Sequence, residues 1–363
     1  MRILWLNWRD IKNPMAGGAE LVTHETAKRL VKAGHAVTIL TAKFPDAKNT
    51  EIIDGVKILR AGNSFTCRIF AFFKYRKQFK GRVDIIIDEI NTIPFFTNFY
   101  AKEEKIALIH QLAREFWWSE TFFPLSLIGY ILEPLCLKTY RNIPTIACSN
   151  STKKDLAKLG FKNISLYHHG LSVKPLSKLP PKNTPDILYL GRLTKPKGPQ
   201  DAIAAFHIVH KKMPDSKLIV VGSGKPKFVK FLKSQVKKLD MENSVKILGF
   251  IPEKEKIDLL KKSKIVLVPS VREGWNMVPI EANAFGCIPI GYNVPGLKDS
   301  IINHKTGILT KPNPHSLARA AINILSNRKK NNFISRNGLL WAKQFNWRKT
   351  YLSIKSVIEK NYY

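Results

Sequence analysis

Two glutamates in the passage from Ser270 to Glu281 are well placed to do chemistry. The passage reads Ser-Val-Arg-Glu-Gly-Trp-Asn-Met-Val-Pro-Ile-Glu and directly follows an apolar, strand-like run. Pro279 suits the first residue of a helix, which places Glu281 in the first turn and Glu273 in the loop before it. The amides of residues 276–278 would then face the carboxyl edge of a sheet, where an anion fits. In the alternative, Glu281 only complements the helix dipole and Glu273 is solvated.

A basic turn is the second candidate. The sequence Gly191-Arg192-Leu193-Thr194-Lys195-Pro196-Lys197-Gly198 follows another strand-like run, and glycines flank the turn. Arg192 can bridge two phosphate oxygens and Lys197 can act as a point charge, so the pair could clamp a diphosphate. The alternative is a solvated basic turn without a ligand.

Alternating strands and helices must position these residues. In the first half, a strand over 3–6, a helix from Gly17-Gly18 to near Gly34 and a strand over 36–41 form a βαβ unit with parallel strands. Three further strands are predicted over 83–87, 105–109 and 145–148. In the second half, strands are predicted over 187–190, 218–221, 245–248 and 265–268. Helices are predicted over 199–212, 228–239, 254–262, 331–343 and 348–360.

A proline-rich segment divides the two halves. Pro175, Pro180, Pro181 and Pro185 lie among polar residues, which is typical of a linker. The predicted domains are residues 1–173, a linker over 174–185, a second α/β domain over 186–335 and C-terminal helices over 336–363.

Composition describes a globular chain with an unusual charge. The 363 residues include 60 Lys and Arg against 27 Asp and Glu, giving a net charge of +33. This excess favours nucleic acid, anionic lipid or an anionic substrate as the partner. The four cysteines are widely spaced, and no secretory signal precedes the first strand, so we expect free thiols and a cytoplasmic location. The apolar segment 121–137 is short and broken for a transmembrane helix.

Taken together, these motifs resemble the retaining glycosyltransferases of family four (group one), which have the GT-B fold. The resemblance lies in Gly-Arg-Leu with a following Lys-Gly, in the eight positions that separate Glu273 from Glu281, in Glu281-Ala-Asn-Ala-Phe-Gly and in Pro295-Gly296. It extends more weakly to Gly17-Gly18-Ala19-Glu20, His110 and His169-Gly170. It implies an α/β fold of two Rossmann-like β/α/β domains facing across a cleft, with the acceptor on the N-terminal side, the donor on the C-terminal side, and C-terminal helices crossing back.

The resemblance also implies roles for individual residues. Glu281 would hold the ribose hydroxyls of a nucleotide-diphosphate sugar, and Glu273 the hydroxyls of the donor sugar. Arg192 and Lys197 would neutralise the diphosphate, and His110 would lie beside the donor sugar. The predicted catalytic residues are His110, Arg192, Lys197 and Glu273. The predicted donor-binding residues are Gly17, Gly18, Gly191, Gly274, Trp275, Asn276, Met277, Val278 and Glu281.

Three positions depart from the family pattern. Asn276 stands where many relatives have glycine, Gln111 follows His110 where aspartate is frequent, and Asp299 replaces a common glutamate. None of the three removes a phosphate ligand, so the departures bear on the identity of the substrate rather than on the reaction class.

The sequence has no D-x-D motif and no His or Cys pair with metal-ligand spacing, so no metal and no cofactor are expected. Arg192, Lys197 and a helix amino terminus would stabilise the leaving diphosphate in place of a metal. For the retaining outcome we expect a front-face reaction, in which the leaving phosphate helps to deprotonate the acceptor hydroxyl.

The stretch from Ser64 to Arg82 interleaves aromatic and basic residues and contains no acid. Together with Trp117, Trp118 and the apolar segment 121–137, it suits a membrane interface. We therefore expect peripheral attachment to the inner face of the cell membrane and a lipid-linked or membrane-proximal acceptor. The alternative is a core helix with a solvated basic face.

Two rival functions remain. A nucleic-acid-binding protein could use the same cations, but zinc-finger spacing and an RNP-like motif are both missing from the sequence, and no nucleic-acid partner is expected. A GT-B sugar-nucleotide epimerase would keep the fold and change the chemistry. The spaced glutamates and the Gly-Arg-Leu turn favour sugar transfer, with lipid-linked glycan, glycolipid or cell-surface polysaccharide synthesis as the setting.

Overall fold

The computed structural model describes residues 1–182 and 184–362, without the side chains of residues 119 and 120. The chain forms two compact units. Unit 1 comprises Met1–Trp117, Phe123–Gly170 and Asn346–Tyr363, and unit 2 comprises Trp118–Phe122 and Leu171–Phe345. Asn183 of the predicted linker and Tyr363 at the end of the predicted C-terminal segment lie outside the described residues.

The first half of the chain alternates strands and helices. Its strands are β1 (Arg2–Leu6), β2 (Ala36–Thr41), β3 (Thr50–Ile53), β4 (Val56–Arg60), β5 (Ile85–Ile90), β6 (Glu104–Ile109), β7 (Thr145–Ala147) and β8 (Ile164–Leu166). Its helices are α1 (Gly18–Lys32), α2 (Cys67–Lys74), which continues into the π-helical turn Tyr75–Phe79, α3 (Thr97–Tyr100), α4 (Glu115–Glu120), α5 (Leu125–Lys138) and α6 (Asn150–Lys158).

The sheet of unit 1 has eight strands in the order β3-β4-β2-β1-β5-β6-β7-β8. All neighbouring strands are parallel except β3 and β4, which form an antiparallel hairpin at the edge. Successive residues of β1 face opposite sides of the sheet, and both sides are buried. Ile3 and Trp5 join one apolar cluster, and Leu4 and Leu6 join another. Burial on both faces explains why this strand has no polar alternation.

The second half of the chain repeats the alternation. Its strands are β9 (Ile187–Leu190), β10 (Leu218–Val221), β11 (Val245–Gly249), β12 (Ile265–Val268), β13 (Ile288–Tyr292) and β14 (Ile308–Thr310). Its helices are α7 (Pro199–Lys212), α8 (Pro226–Lys238), α9 (Glu253–Lys262), α10 (Val278–Ala284), α11 (Leu297–Ser300), α12 (Pro314–Ser326) and α13 (Arg328–Ala342), and a final helix, α14 (Trp347–Tyr362), follows.

The sheet of unit 2 is fully parallel, in the order β11-β10-β9-β12-β13-β14. Numbered from β9, this is the strand order 3-2-1-4-5-6 of a doubly wound nucleotide-binding fold. The order reverses between β9 and β12, so the carboxyl ends of these two strands mark the crevice where such sheets bind ligands. The predicted α/β class with two Rossmann-like units is therefore confirmed.

Several strands and helices follow their predicted limits, including β9, β10, β12 and α7. Most of the other predicted strands and helices differ from the observed ones by one to three residues at one or both ends. Strand β5 begins at Ile85 rather than at Val83, and α10 begins at Val278, which makes Pro279 the second helical residue. The hairpin of β3 and β4 was not predicted; β3 is a short edge strand without a fully buried residue, whereas β4 lies inside the sheet and buries Val56, Ile58 and Arg60.

The C-terminal helices divide between the two units. Helix α13 belongs to unit 2, whereas α14 belongs to unit 1, as expected for a helix that crosses back. The ring of Trp347 at the start of α14 packs so closely on Gly170 that a Cβ atom there would lie 2.1 Å from it. The predicted linker lies within unit 2, where the Leu176 amide donates to the Ala284 carbonyl at 3.0 Å.

Among residues 1–182 and 184–362, every helix is too short or too polar to cross a lipid bilayer.

Candidate functional site

Two loops meet at the switch point of the unit 2 sheet. One follows β9 and carries Arg192 and Lys197, and the other follows β12 and carries Glu273. The Val271 amide donates to the Pro196 carbonyl at 3.0 Å, which ties the two loops together. The structure thus places the two passages singled out in the sequence side by side, at the carboxyl edge where a ligand is expected.

Tyr189 on β9 supports the first loop through hydrogen bonds to its backbone. This residue is buried on β9, and its hydroxyl lies 3.2 Å from the carbonyl oxygens of both Arg192 and Lys197. Gly198 closes the loop with a φ of 72°, and a Cβ atom there would lie 2.2 Å from the Pro269 carbonyl oxygen. The loop conformation is therefore fixed by its own backbone and by the strand beneath it.

Lys197 and Glu273 form a close ion pair. The Lys197 ammonium lies 2.6 Å from Oε1 and 2.7 Å from Oε2 of Glu273, and the two side chains are 18% and 7% exposed. Asn276 donates from Nδ2 to Oε1 of Glu273 at 2.9 Å. The carboxylate predicted to meet the donor sugar is thus already oriented by a cation and an amide.

Asn276 also explains one departure from the family pattern. Its φ of 75° lies in the left-handed region that glycine adopts freely and that asparagine tolerates. Its Oδ1 accepts the Val278 amide at 3.0 Å, so Asn276 caps the start of α10. One of the three amides predicted to face an anion, that of Val278, therefore already has a protein partner.

Glu281 lies in the first turn of α10 and pairs with Lys256 of α9. The Lys256 ammonium is 3.3 Å from Oε2 of Glu281 and 3.1 Å from Oε2 of Glu253. Burial raises the pKa of Glu281 above its usual value, and Lys256 opposes that rise. Burial works to lower the pKa of Lys256, but the carboxylates of Glu281 and Glu253 outweigh it and raise that pKa.

The remaining predicted residues of unit 2 have distinct environments. Arg192 is exposed, and in the part of the chain that the structure describes its guanidinium has no ion-pair partner. Gly274 is buried in the loop, and Trp275 packs its ring 5.9 Å from that of Phe345. The carbonyl of Met277 accepts the amides of Ile280 and Glu281 at 3.0 Å. The amide of Gly191 donates to the Val221 carbonyl at 3.1 Å.

In unit 1, Gly17 and Gly18 lie at the start of α1, where the chain arrives from β1. The Gly17 amide donates to Oε2 of Glu20 at 2.7 Å, and Arg9 donates to Oε1 of the same carboxylate at 2.9 Å. A further Arg9 hydrogen bond reaches the Met15 carbonyl at 2.8 Å. Arg9 and Glu20 therefore brace this glycine pair; Glu20 belongs to the Gly17-Gly18-Ala19-Glu20 motif of the resemblance, whereas Arg9 was not singled out in the sequence.

His110 is buried at the end of β6 with both ring nitrogens engaged. Its Nε2 lies 2.9 Å from Oε1 of Glu89 and its Nδ1 lies 3.2 Å from the Tyr167 hydroxyl. Glu89 also accepts hydrogen bonds from Trp5 at 2.7 Å and from Thr23 at 2.5 Å. For a His110 ring nitrogen to contact a donor sugar, its hydrogen bond to Glu89 or to Tyr167 would have to break.

His169 has a structural role within unit 1. Its Nε2 lies 2.6 Å from the Cys148 carbonyl oxygen. Burial lowers the pKa of His169 to about 3, so the ring is neutral and donates to that carbonyl. The motif His169-Gly170 therefore supports the packing of Trp347 and the strand ends beneath it.

Sequence reasoning missed four residues that support predicted site residues within each unit: Tyr189 and Lys256 in unit 2, and Glu89 and Arg9 in unit 1. Glu89 had a signal, because a carboxylate inside the apolar strand β5 must find buried partners. Lys256 had none, since its Glu-Lys-Glu-Lys context is typical of a solvated helix surface.

The described side chains contain no group of three or more His, Cys, Asp or Glu residues arranged to hold a metal ion.

Comparison with known proteins identifies the family. The family model "Glycosyl transferases group 1" matches residues 175–341, and "Glycosyltransferase Family 4" matches residues 16–174. The glycogen synthase of Mycobacterium tuberculosis is 23% identical over 89% of this chain and 85% of its own length. The gpi3 subunit of the phosphatidylinositol N-acetylglucosaminyltransferase of Schizosaccharomyces pombe is 22% identical over 87% of this chain and 72% of its own.

Two solved structures have the same fold. The sucrose-phosphate synthase of Thermosynechococcus elongatus superposes with a TM-score of 0.82 at 19% identity, covering 99% of this chain and 98% of that one. Anabaena HepE in complex with UDP-glucose gives a TM-score of 0.74 at 18% identity, covering 99% and 100% of the two chains. With both halves of the chain matched, the protein belongs to the family four, group one glycosyltransferases of GT-B fold.

Proposed function

We propose that this protein is a retaining glycosyltransferase that moves a sugar from a nucleotide-diphosphate sugar to an acceptor hydroxyl. One observation carries the proposal. The two loops at the switch point of the unit 2 sheet present Arg192, Lys197 and Glu273 together, and Glu281 lies in the first turn of the helix that follows. Cations for a diphosphate and carboxylates for sugar hydroxyls are the groups that such a donor requires.

The donor would engage these groups in a defined order along the molecule. Glu281 would accept the ribose hydroxyls, Arg192 and Lys197 would neutralise the diphosphate, and Glu273 would accept hydroxyls of the sugar. The UDP-glucose bound to Anabaena HepE, which shares the fold, supports a nucleotide-sugar as donor. The proposed reaction takes the donor and the acceptor as its substrates, with no cofactor or metal.

The reaction is proposed to proceed on one face of the sugar. The bond between the anomeric carbon and the diphosphate oxygen breaks, and a bond from the acceptor oxygen to the same carbon forms on the same face. The acceptor hydroxyl passes its proton to the leaving phosphate oxygen. Arg192 and Lys197 would stabilise the negative charge that develops on the diphosphate, which is the main task of the site.

Helix α5 of unit 1 supports the proposal of a lipid-linked acceptor, because most of its large apolar side chains are exposed rather than buried. Its buried residues include Ser126, Gly129 and Glu133, whereas large apolar residues face outward. These are Leu125, Leu127, Ile128, Tyr130, Ile131, Leu132 and Leu135, each between 37% and 53% exposed. A contiguous apolar helix face of this kind is typical of a membrane or protein contact.

The same helix is fixed to the segment that follows His110. Glu133 accepts the amides of Ala113 and Arg114, and it accepts the indole N–H of Trp117 at 3.2 Å. A lipid chain lying along α5 would therefore end near the carboxyl edge of β6. This tie connects the apolar surface with the part of unit 1 expected to receive the acceptor.

Helix α2 adds exposed apolar groups and positive charge. Phe65, Ile69 and Phe73 are 87%, 59% and 61% exposed. The exposed cations that follow are Arg76, Lys77, Lys80 and Arg82. Aromatic residues beside cations favour an anionic lipid surface, where each cation contributes about 1 kcal/mol.

Two further points favour this function over its rivals. The matched family models describe transferases, which favours sugar transfer over sugar-nucleotide epimerisation or nucleic-acid binding. The relative from Schizosaccharomyces pombe is named for transfer to phosphatidylinositol, a lipid acceptor. Peripheral membrane attachment and a role in glycan or glycolipid synthesis are therefore part of the proposal.

A donor panel tests the proposed reaction. Thermal shift with UDP-, GDP- and ADP-sugars would identify the ligand, and transfer or slow hydrolysis of that donor would establish activity. We expect one nucleotide class to raise the melting temperature and the product to keep the anomeric configuration of the donor. Binding of none of the three classes, or an inverted product, would contradict the proposal.

Vesicle flotation tests the membrane part separately. The full chain is mixed with neutral vesicles or with vesicles containing anionic lipid, at moderate salt. We expect flotation only with the anionic vesicles. Equal recovery from both, or from neither, would overturn the proposed attachment while leaving the donor chemistry intact.

A further inference from the structure

Lys256 is a charged residue at the proposed donor site for which the family resemblance implied no role. It lies on α9, and its side chain is 21% exposed. Its ammonium is close to Oε2 of Glu281, at 3.3 Å, and to Oε2 of Glu253, at 3.1 Å. Two carboxylates from two helices therefore converge on one cation.

The geometry leaves half of the Glu281 carboxylate available. Lys256 occupies Oε2, and among the described residues Oε1 has no hydrogen-bond donor. Glu281 is only 17% exposed, so an ionised carboxylate at this position loses much of its hydration. Lys256 compensates for that loss without filling the oxygen that a ligand hydroxyl would approach.

We propose that Lys256 is a positioning residue that holds Glu281 ionised and oriented to accept the ribose hydroxyls of the donor nucleotide. This inference rests on the proposed function, because it assumes that Glu281 binds ribose. It adds a residue that acts through Glu281 and sets how the nucleoside end of the donor is recognised.

The groups around Glu281 determine the direction in which its pKa changes when Lys256 is removed. Burial raises the pKa of Glu281, Lys256 lowers it, and Glu253 raises it slightly. Removal of Lys256 leaves the two raising influences without their counterweight. Glu281 would then carry a proton at pH values where the native residue is ionised, and it would release that proton again at higher pH.

A protonated Glu281 is a poorer partner for two hydroxyls. An ionised carboxylate accepts hydrogen bonds at both oxygens, whereas a protonated one donates from one of them. Loss of Lys256 should therefore weaken binding of nucleotides that carry ribose hydroxyls and leave nucleotides without them unaffected. A purely structural role for Lys256 would affect both alike.

The experiment uses the full chain and measures dissociation constants by calorimetry. The probes are UDP, GDP and ADP, and the 2′,3′-dideoxy counterpart of whichever binds. The variants are Lys256→Met, which removes the charge, and Lys256→Arg, which keeps it. Lys254→Met is the matched control, since Lys254 is exposed on the same helix.

We expect Lys256→Met to weaken ribonucleotide binding about 10-fold or more near pH 6, the scale of a lost charged hydrogen bond. Affinity should recover toward the native value as the pH rises and Glu281 ionises. Lys256→Arg should retain most of the affinity, and Lys254→Met all of it. The dideoxynucleotide should bind all variants with similar affinity.

The outcomes separate the two proposals. Failure of the native chain to bind any of the nucleotides would contradict the proposed function itself. Native binding with an unchanged Lys256→Met variant at every pH would overturn the role of Lys256 and leave the function standing. Equal weakening of the ribonucleotide and the dideoxynucleotide would also overturn it, because the effect would then not pass through ribose.

Discussion

The charged side chains of the proposed donor site are already paired with one another. Lys197 is bound to both oxygens of Glu273, and Lys256 is bound to Glu281. A donor diphosphate that approaches Lys197 must therefore share its ammonium with Glu273. An ammonium has three N–H donors, so it can serve a carboxylate and a phosphate at once. The ion pair then orients Lys197 before the donor arrives.

This arrangement predicts the outcome of removing Lys197. In Lys197→Ala, the leaving diphosphate loses a cation, and the transfer kcat/KM should fall about 100-fold or more. Glu273, only 7% exposed, loses its ion pair, so the free energy of unfolding should fall by about 1–3 kcal/mol. Transfer assays and urea unfolding measure the two effects.

Lys195→Ala is the matched control, because Lys195 is exposed in the same turn. It should leave both quantities nearly unchanged. A Lys197→Ala variant with full transfer activity would remove this residue from the catalytic site.

Among individual residues, the sequence predicted the site residues that belong to short motifs, but it did not predict the side chains that support them. Glu273, Glu281, Arg192 and Lys197 lie in short local patterns, so spacing revealed them. Their supports lie outside those patterns: Tyr189 precedes Arg192 by three residues, on β9, and Lys256 lies 25 positions before Glu281. The pairing of Lys256 with Glu281 depends on which helices the fold brings together, and no local spacing encodes it.

The turn after β9 shows how an element holds the proposed diphosphate-binding groups in place. Gly198 has positive φ, and the Pro269 carbonyl lies where its Cβ atom would be. Both conformation and space therefore require glycine. Gly249 has similar φ, 76°, but nothing lies within 4 Å of a Cβ atom there.

The two glycines give a paired prediction. Gly249→Ala should destabilise the protein by about 1–2 kcal/mol, the cost of a left-handed alanine. Gly198→Ala has the same unfavourable left-handed alanine and must also displace the backbone of Pro269. Its free energy of unfolding should therefore fall further, and transfer activity should be lost. Urea midpoints and transfer rates test this. Equal midpoints for the two variants would show that the close contact carries no energy.

Helix α5 gives a second prediction at the scale of elements. Ile131 is 52% exposed, so Ile131→Asp should leave the free energy of unfolding within about 0.5 kcal/mol of native. It should nevertheless strongly reduce flotation with anionic vesicles, because a charge on the apolar face opposes insertion. Ile52→Asp, at a site 73% exposed on β3, is the control and should float normally. Loss of flotation in both variants would argue against a specific role for α5.

The elements themselves were largely predictable from hydrophobic patterning. Strands such as β9 and β12 are short apolar runs buried on both faces, bounded by turn residues, and their limits matched. Helix α5 shows where patterning fails. Most of its apolar residues point outward, and apart from Leu137 its buried positions are small or polar, so an apolar segment of this length carries no signal of which face is exposed.

At the scale of the whole molecule, the charge of +33 is divided among several surfaces. Arg192, Lys197 and Lys256 belong to the proposed donor site of unit 2. The cations after α2 belong to the proposed lipid surface of unit 1. Helix α8 carries a further basic face, Lys227, Lys230, Lys233, Lys237 and Lys238, that has no role in either. Net charge therefore favours an anionic donor and an anionic surface over a single polyanionic partner.

The last helix of the chain, α14, packs into the core of unit 1. Four residues of α14, Trp347, Ile354, Val357 and Ile358, are buried in the core of unit 1 with Ile3 and Trp5. Each such side chain contributes about 1.5–3 kcal/mol by burial, so together they rival the full stability of a typical domain. Unit 1 should therefore not fold without residues that lie beyond unit 2 in the sequence.

Truncation after Phe345 tests this dependence. We expect the shortened chain to expose the apolar core of unit 1, to aggregate and to be cleaved rapidly within residues 1–170 under limited proteolysis. A milder variant keeps the test quantitative: Ile354→Ala should cost about 2–5 kcal/mol, because it opens a cavity in that core. Leu352→Ala, at a site 47% exposed on the same helix, should cost little. A truncated chain whose first 170 residues resist protease as well as those of the native chain would show that unit 1 folds independently of α14.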